Sequence, residues 1–306
     1  MRIELTDINR ALADDPVGYI AECDAIYHGR IAHAADLVAE RLHQSRVILL
    51  AGPSSSGKTT TASNVKKALA ERGVYCHMIS LDDYYLPKDD PAFPKTKEGE
   101  PDLEAPQALD TELLGEHLRK LDAGEEIVVP FFDFQTGKQD PARFRPLHLN
   151  EHEAVIFEGI HGLNPLLTER DPEATRIFIS TASSVYDDDV EVFDRVWMRV
   201  LRRIVRDYYF RASTAEETLN LWKNVRRGEK KFISPYKKFA HLTIDTSHGY
   251  EVAVFRSIAE PMLIKLTEHA QPRLIELILE GLESFLPLDP KLLPETSLIR
   301  EEFLPK

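Results

Sequence analysis

Val47-Ile48-Leu49-Leu50-Ala51-Gly52-Pro53-Ser54-Ser55-Ser56-Gly57-Lys58-Thr59-Thr60 is the stretch on which the reading of this chain turns. Val47–Leu50 is a short apolar run closed by Gly and Pro, the pattern of a buried strand. Gly52 to Thr59 fits G-x-x-x-x-G-K-[ST] in full. Glycines let such a backbone curl so that several N–H groups converge on phosphate oxygens, and the following helix adds its positive N-terminal end. Lys58 is placed to bridge β- and γ-phosphates, and the Thr59 hydroxyl to bind Mg²⁺. Thr60–Glu71 predicts that helix, ending near Gly73. An apolar strand before and a helix after set this apart from a Ser/Gly-rich surface loop. The motif by itself points no further than nucleoside triphosphate binding, which kinases, GTPases, motors and transport ATPases share.

Working outward, strands are predicted at Cys76–Leu81, Ile127–Val129, Ala154–Phe157, Arg176–Ser180 and His241–Asp245. Helices are predicted at Thr111–Leu121, Val190–Phe210, Ala215–Arg226, Glu251–His269 and Arg273–Phe285. Residues 1–45 read as helical, with an amphipathic stretch Ile31–Leu42. Strands alternating with helices predict an α/β fold of the P-loop NTPase kind, a parallel sheet with helices on both faces. Ligands then gather at the carboxyl ends of the strands. Residues 84–109 carry five prolines and no periodicity, so they read as a long functional loop. The organisation predicted is a helical extension over 1–45, a core domain over 46–270 with a helical lid at about 203–231, and a helical tail over 271–306.

The 306 residues are 43% hydrophobic and 29% charged, which excludes disordered, collagenous and disulfide-framework chains. No run approaches the ~18 apolar residues of a membrane span. MRIELTDINR has no apolar signal region, and the two cysteines, Cys23 and Cys76, match no zinc or redox spacing. A cytoplasmic protein without a membrane partner is expected. A net charge of −13 argues against nucleic-acid binding. Residues 195–238, however, hold thirteen Lys/Arg against four Asp/Glu, a local +9 on a remainder of −22. That island suggests a local anionic ligand, with a solvated helix face as the plainer alternative.

Three further motifs stand where the sheet should present its chemistry. Ser80-Leu81-Asp82-Asp83-Tyr84-Tyr85 puts two carboxylates at a strand end, where one can take the proton of a substrate hydroxyl. Adjacent strand residues face opposite ways, so only one is expected to face the γ-phosphate. Ala154-Val-Ile-Phe-Glu158 is an apolar strand ending in an acid, suited to Mg²⁺ or the acceptor. Arg199, Arg202 or Arg203, and Arg206 share one helix side, with Arg211 beyond, and clustered arginines can clamp migrating phosphate charge. Phe131-Phe132-Asp133-Phe134 offers aromatic faces to a planar group, or to the core. No histidine set has metal-ligand spacing; His161 stands out only because it follows Glu158 on one loop.

In this order the motifs resemble those of the uridine kinase/phosphoribulokinase family of P-loop kinases, over roughly residues 45–270. Ser80 to Tyr85 looks like the uridine kinase S-x-D-x-F-Y segment, a register that implies Asp82 as general base and Tyr85 in the nucleoside pocket. Leu103-Glu104-Ala105-Pro106-Gln107-Ala108-Leu109-Asp110 is similar to F-D-H-P-x-A-F-D, which implies that Glu104 holds ribose hydroxyls. Val129-Pro-Phe-Phe132-Asp133-Phe134 looks like I-P-x-Y-D-F, and Phe157-Glu158-Gly159-Ile160 matches F-E-G-I. Arg202-Arg203-Ile-Val-Arg206-Asp207 with Arg211 is similar to the lid run R-R-x-x-R-D, implying phosphate contacts from Arg203, Arg206 and Arg211. The chain departs from the pattern at Ala105, Phe132 and Gly137, where the family has His, Tyr and a pyrimidine-reading His. Gly159-Ile160-His161-Gly162 looks more like the phosphoribulokinase E-G-L-H-G. The tail resembles a bacterial uridine kinase-like subgroup in which a TGS-type domain often precedes the kinase domain; residues 1–45 are too short for one.

The resemblance implies an ATP- and Mg²⁺-dependent kinase acting on a small-molecule hydroxyl, the 5′-OH of a nucleoside foremost. Asp82, Lys58, Arg203 and Arg206 are the expected catalytic groups. Gly52, Pro53, Ser54, Ser55, Ser56, Gly57, Lys58, Thr59, Thr60 and Arg211 are the expected phosphate site. Asp82, Tyr85, Glu104, Phe132, Phe134, His161 and Arg203 are expected at the acceptor, and Thr59, Glu158 and Asp82 at the metal. The rivals are a kinase of a sugar phosphate or vitamin precursor, and a non-catalytic NTP-binding regulator. The apolar spacing Leu274, Leu277, Ile278, Leu282 and Phe285 fits a packing face, intramolecular or between copies in a homo-oligomer.

Overall fold

The structure is a computed structural model that describes residues 2–266 and 271–305. Strand β1 (Arg2–Glu4) leads into α1 (Leu5–Asp14) and α2 (Pro16–Arg41), then β2 (Val47–Ala51), α3 (Lys58–Ala70) and β3 (Tyr75–Ser80). After a long loop come α4 (Thr111–Asp122), β4 (Ile127–Val129), the hairpin β5 (Phe132–Asp133) and β6 (Lys138–Gln139), β7 (Arg145–Leu147) and β8 (Glu153–Gly159). Then follow α5 (Pro165–Thr168), β9 (Thr175–Ser180), β10 (Ser184–Asp187), β11 (Val190–Phe193), α6 (Arg195–Phe210) and α7 (Ala215–Gly228). The chain ends with β12 (Leu242–Asp245), α8 (Glu251–Ile264), α9 (Pro272–Glu283) and α10 (Leu298–Phe303).

The central sheet has the order β12-β9-β2-β8-β3, with every pairing parallel. Side-chain alternation explains how both faces are covered. Ile48 and Leu50 of β2 and Ile156 of β8 join one apolar cluster, which takes in α2, α3, α6, α8, α9 and α10. Val47, Leu49, Val155 and Phe157 join the other, with Leu114 and Leu118 of α4 and Tyr84 and Phe132 beside them. The α/β P-loop arrangement expected from the sequence is therefore present. It puts the phosphate loop, the turn after β3 and the end of β8 together at the carboxyl edge.

Four expectations need correction. The N-terminal extension is helical over Leu5–Asp14 and Pro16–Arg41, but Arg2–Glu4 is a strand that pairs in parallel with Ser184–Tyr186 of β10. Val190–Phe193 is a strand antiparallel to β10, and the helix starts only at Arg195, where the Asp194 carboxylate accepts the Val196 N–H at 2.6 Å. The two carboxylates after β3 lie in a 3₁₀ turn, Leu81–Tyr84, rather than on the strand. The helix predicted over Glu251–His269 ends at Ile264, and residues 267–269 lie outside the described residues. The apolar face of α9 packs inside the molecule through Ile275, Ile278 and Leu282, and Phe285 sits edge-on to Phe193 at 5.8 Å. Among the described residues no helix is long and apolar enough to cross a membrane.

Candidate active site

The loop between β2 and α3 is wound as its sequence requires. Gly57 has φ +83°, which a side chain would strain, and Ser55 takes the left-handed region at φ 60°. The Ser55 and Ser56 hydroxyls are buried and have no hydrogen-bond partner among the described residues. Buried orphan donors beside a helix N-terminus fit an oxyanion ligand. Lys58 Nζ donates to the Pro53 carbonyl at 3.3 Å, curling over its own loop. Burial pushes its pKa down, against the upward pull of Glu158, Glu302 and Asp82.

The carboxylates separate by environment. Asp83 accepts the Phe132 N–H at 3.4 Å and so props the aromatic hairpin. Asp82 makes no such bond among the described residues; burial raises its pKa, and Lys58 and Arg211 draw it back down. Glu158 lies between the loop and this turn, accepting the Thr59 hydroxyl at 3.3 Å and the Ser80 hydroxyl at 3.5 Å. Burial pushes it up to about 7 despite Lys58. Thr59 Oγ1, Glu158 and Asp82 form an oxygen-only set, suited to a hard divalent cation completed by phosphate oxygens and water. No group of three or more His, Cys, Asp or Glu that could hold a metal occurs among the described residues. Thr59, Glu158 and Asp82 would hold Mg²⁺ as oxygen ligands, with the rest of its shell left to ligand and water.

The arginines divide between two faces of α6. Arg203 Nη1 donates to Ser54 Oγ at 2.9 Å, and its Nε lies 3.3 Å from Asp207. Arg206 and Arg211 reach Asp207 at 2.8 and 3.6 Å. One buried acid thus gathers three cations at the mouth of the phosphate loop. Arg202 points the other way and is fully buried, paired with Glu251 at 2.7 Å. It also donates to the Thr246 hydroxyl at 3.1 Å and carbonyl at 2.7 Å. Thr246 in turn donates to the Ser56 carbonyl at 2.7 Å. Glu251, Arg202 and Thr246 are a staple under the phosphate loop. Arg199 is likewise structural, held to Glu229 at 2.5 Å.

Across the opening from the phosphate loop, Tyr85 is buried and its hydroxyl donates to the Leu103 carbonyl at 2.8 Å, which brings the 84–109 loop back over β3. Its ring meets Phe132 at 5.6 Å and Phe134 at 5.9 Å. Phe132 is buried in this packing, whereas Phe134 is half exposed at the rim. Glu104, the next residue of the loop, faces the Arg203 and Lys58 charges, yet burial pushes it up to about 7. His161 is buried with both ring nitrogens unpartnered among the described residues, near the Glu104 backbone and edge-on to Phe232 at 6.4 Å. Burial lowers it to about 4, so it is neutral at pH 7.

The structure brings together Lys58, Thr59, Asp82, Glu158, Arg203, Arg206 and Arg211 at one opening, with Glu104 and His161 beyond Arg203. Phe132 supports this opening from within rather than lining it. Two contributors were not singled out from sequence. Gly228 ends α7 so close to Glu104 that a Cβ there would come within 2.4 Å of the Glu104 Cβ. Glu302, on α10, accepts the Thr60 N–H at 3.2 Å. Both act through contacts distant in sequence, and nothing local marked Glu302.

The family model described as the Phosphoribulokinase / Uridine kinase family matches residues 47–253. A uridine kinase of Staphylococcus haemolyticus is 31% identical over 211 residues, 68% of this chain and 91% of its own. One from Macrococcus caseolyticus is 32% identical over 217 residues, 70% and 94%. In structure, a protein of Silicibacter sp. TM1040 named as a candidate fructose transport system kinase superposes with a TM-score of 0.50 at 18% identity, covering 70% of this chain and 98% of its own. That likeness bears on the fold alone. A kinase-type phosphate loop with a carboxylate turn, a strand-end acid and an arginine run in this order, matched over two thirds of the sequence, places the chain in the phosphoribulokinase/uridine kinase family.

Proposed function

We propose that this protein is an ATP- and Mg²⁺-dependent kinase that transfers the γ-phosphoryl group to a primary hydroxyl, the 5′-OH of a nucleoside. The observation that carries the reading is the division of labour at the turn after β3. Asp83 is engaged by the Phe132 N–H, and Asp82 is left facing Lys58 at the loop mouth. A buried carboxylate with a raised pKa, beside a cation, is suited to accept the proton of an attacking hydroxyl. Lys58, Arg203 and Arg206 are placed to offset charge spreading over the transferred group. Thr59, Glu158 and Asp82 would hold Mg²⁺, which would supply neutralisation of the charge that develops on the transferred group. Glu104, Tyr85 and His161 line the acceptor end, and α6 and α7 close over it to exclude water.

The uridine kinase relatives support a nucleoside acceptor. A second reading, a phosphorylated sugar or other hydroxylated metabolite, is favoured by His161, whose two ring nitrogens lie buried and unpartnered at the acceptor end. The purified protein with Mg-ATP, offered a panel of nucleosides, ribulose 5-phosphate and pantothenate, separates the two through ADP release above the acceptor-free background. ADP release that answers only to nucleosides is expected. A response only to a non-nucleoside supports the second reading, and acceptor-independent turnover refutes both.

A further inference from the structure

The last residues of the chain lie beyond the stretch matched by the family model, yet they reach its phosphate loop. Leu298, Ile299 and Phe303 of α10 are fully buried in the main apolar cluster. Ser297 bonds the Tyr250 hydroxyl at 2.9 Å. Phe303 lies 5.3 Å beneath the Arg202 guanidinium, the same group that staples Ser56 through Thr246. Leu298 packs against Gly57, where an added Cβ would come within 3.1 Å of its Cδ1. These anchors hold Glu302, half-buried, with its Oε2 3.2 Å from the Thr60 N–H.

Thr60 is the third residue of α3, so its N–H has no partner inside the helix and belongs to the group of donors that a polyphosphate uses. A carboxylate oxygen there takes the place and the charge sign of a phosphate oxygen. The Glu302 charge also acts on Lys58, Glu158 and Arg211. Outward from Thr59 and Thr60 a cleft of about 460 Å³ runs between Lys67 of α3 and Glu295, Thr296 and Arg300 of the tail. That volume is within the range of small-molecule sites.

We propose that the C-terminal segment, residues 289–305, is the outer wall of the nucleotide site, and that Glu302 sets nucleotide affinity by competing with phosphate for the Thr60 N–H. The inference rests on reading Gly52–Thr59 as the nucleotide site. Binding requires the Glu302 side chain to swing off Thr60 while α10 stays docked. The apparent affinity is therefore reduced by the fraction of molecules in which the carboxylate sits on the amide.

Calorimetric titration with Mg-ATP and with inorganic tripolyphosphate tests this on the full chain, comparing wild type, Glu302→Gln, Glu302→Ala and Lys58→Ala. Both Glu302 variants are expected to bind both probes more tightly, by roughly 2- to 30-fold, the span of a charge at a helix N-terminus. The Gln variant keeps the size of the side chain, and an unchanged melting temperature excludes a folding effect. Unchanged or weaker binding of both probes overturns the inference. So does a gain for ATP without one for tripolyphosphate, because competition for a phosphate site cannot depend on the base. Failure of the underlying reading looks different: wild type then binds neither probe, or Lys58→Ala binds as wild type does, and the inference falls with it.

Discussion

The proposed phosphate half and the proposed acceptor half of the opening are built in different ways. The phosphate half is contiguous: the residues between Gly52 and Thr60 supply backbone amides, a lysine and hydroxyls, and α6 adds Arg203 from one direction. The acceptor half is assembled from scattered pieces. Tyr85 and Glu104 come from the two ends of a loop, Phe132 from a hairpin, His161 from the turn after β8, and Gly228 from the end of α7. Backbone amides converge wherever the loop winds correctly, so the first half tolerates little variation in its motif. Side chains that converge from five segments can be exchanged one at a time. On the proposed reading the first half is therefore fixed by the chemistry of phosphate binding, and the second is where a particular acceptor would be chosen.

The sharpest way to test this division is at the residue standing between the halves. Asp82→Asn keeps size and burial while removing the proton acceptor. Turnover should fall by roughly 10²- to 10⁴-fold, with nucleotide affinity and melting temperature preserved. Steady-state kinetics with a parallel nucleotide titration reads both. Turnover within a few-fold of wild type would remove Asp82 as the base and blur the boundary between the halves.

The phosphate half can be broken from underneath. Glu251 and Arg202 are wholly buried, and burial holds Glu251 up at about 7 even beside the guanidinium. Replacing a buried pair by apolar groups is often tolerated, but removing one partner leaves a charge stranded. Glu251→Ala should cost about 3–5 kcal/mol of stability in urea unfolding. In variant that remains folded, weaker Mg-ATP binding is expected, since Thr246 loses its hold on Ser56. A stability loss below about 1 kcal/mol would mean that the staple is dispensable.

The legibility of the molecule follows the same division. The sheet was readable because β2 and β8 are apolar runs ended by punctuation, and the loop because its motif is local. Val190–Phe193 was misassigned because a four-residue strand before an amphipathic helix carries too little period-2 signal to stand apart, and its partner β10 is itself four residues long and pairs on its other edge with β1, at the far end of the sequence. Arg202 and Arg203 are neighbours with the same side chain, and helical spacing alone left both as candidates for one face. Tertiary contacts decide: Arg203 meets Ser54, and Arg202 meets Glu251. Glu302 was silent because its meaning lies wholly in a contact 242 residues distant.

A prediction on the acceptor half uses Gly228. A methyl group at this position meets the Glu104 Cβ, an atom that cannot rotate away. Gly228→Ala should therefore displace Glu104 or lift the end of α7. Displacements of this size cost roughly 10- to 100-fold in reactivity, here expected in kcat/KM for the acceptor with nucleotide affinity unchanged. Equal losses for both substrates would show that the two halves are coupled through α7 rather than separable.

The smallest expected effect is also the most specific to the acceptor. Glu104 is pushed up to about 7 because burial disfavours its charge, with Arg203 and Lys58 pulling it down only in part. It is therefore mostly protonated at pH 6 and mostly ionised at pH 8. If its carboxylate accepts hydrogen bonds from acceptor hydroxyls, the ionised form binds better and KM for the acceptor falls as pH rises. Between these pH values the ionised fraction changes about tenfold, which bounds the change in KM. Glu158 also titrates near 7, and Asp82 is raised too. Their contributions are common to wild type and Glu104→Gln, so the ratio of the two KM profiles isolates Glu104. For an acceptor that uses this carboxylate, the ratio of wild-type KM to Glu104→Gln KM should fall as pH rises from 6 to 8. A ratio independent of pH would place the hydroxyl contacts elsewhere, and His161, neutral throughout this range, is the group to which they would pass.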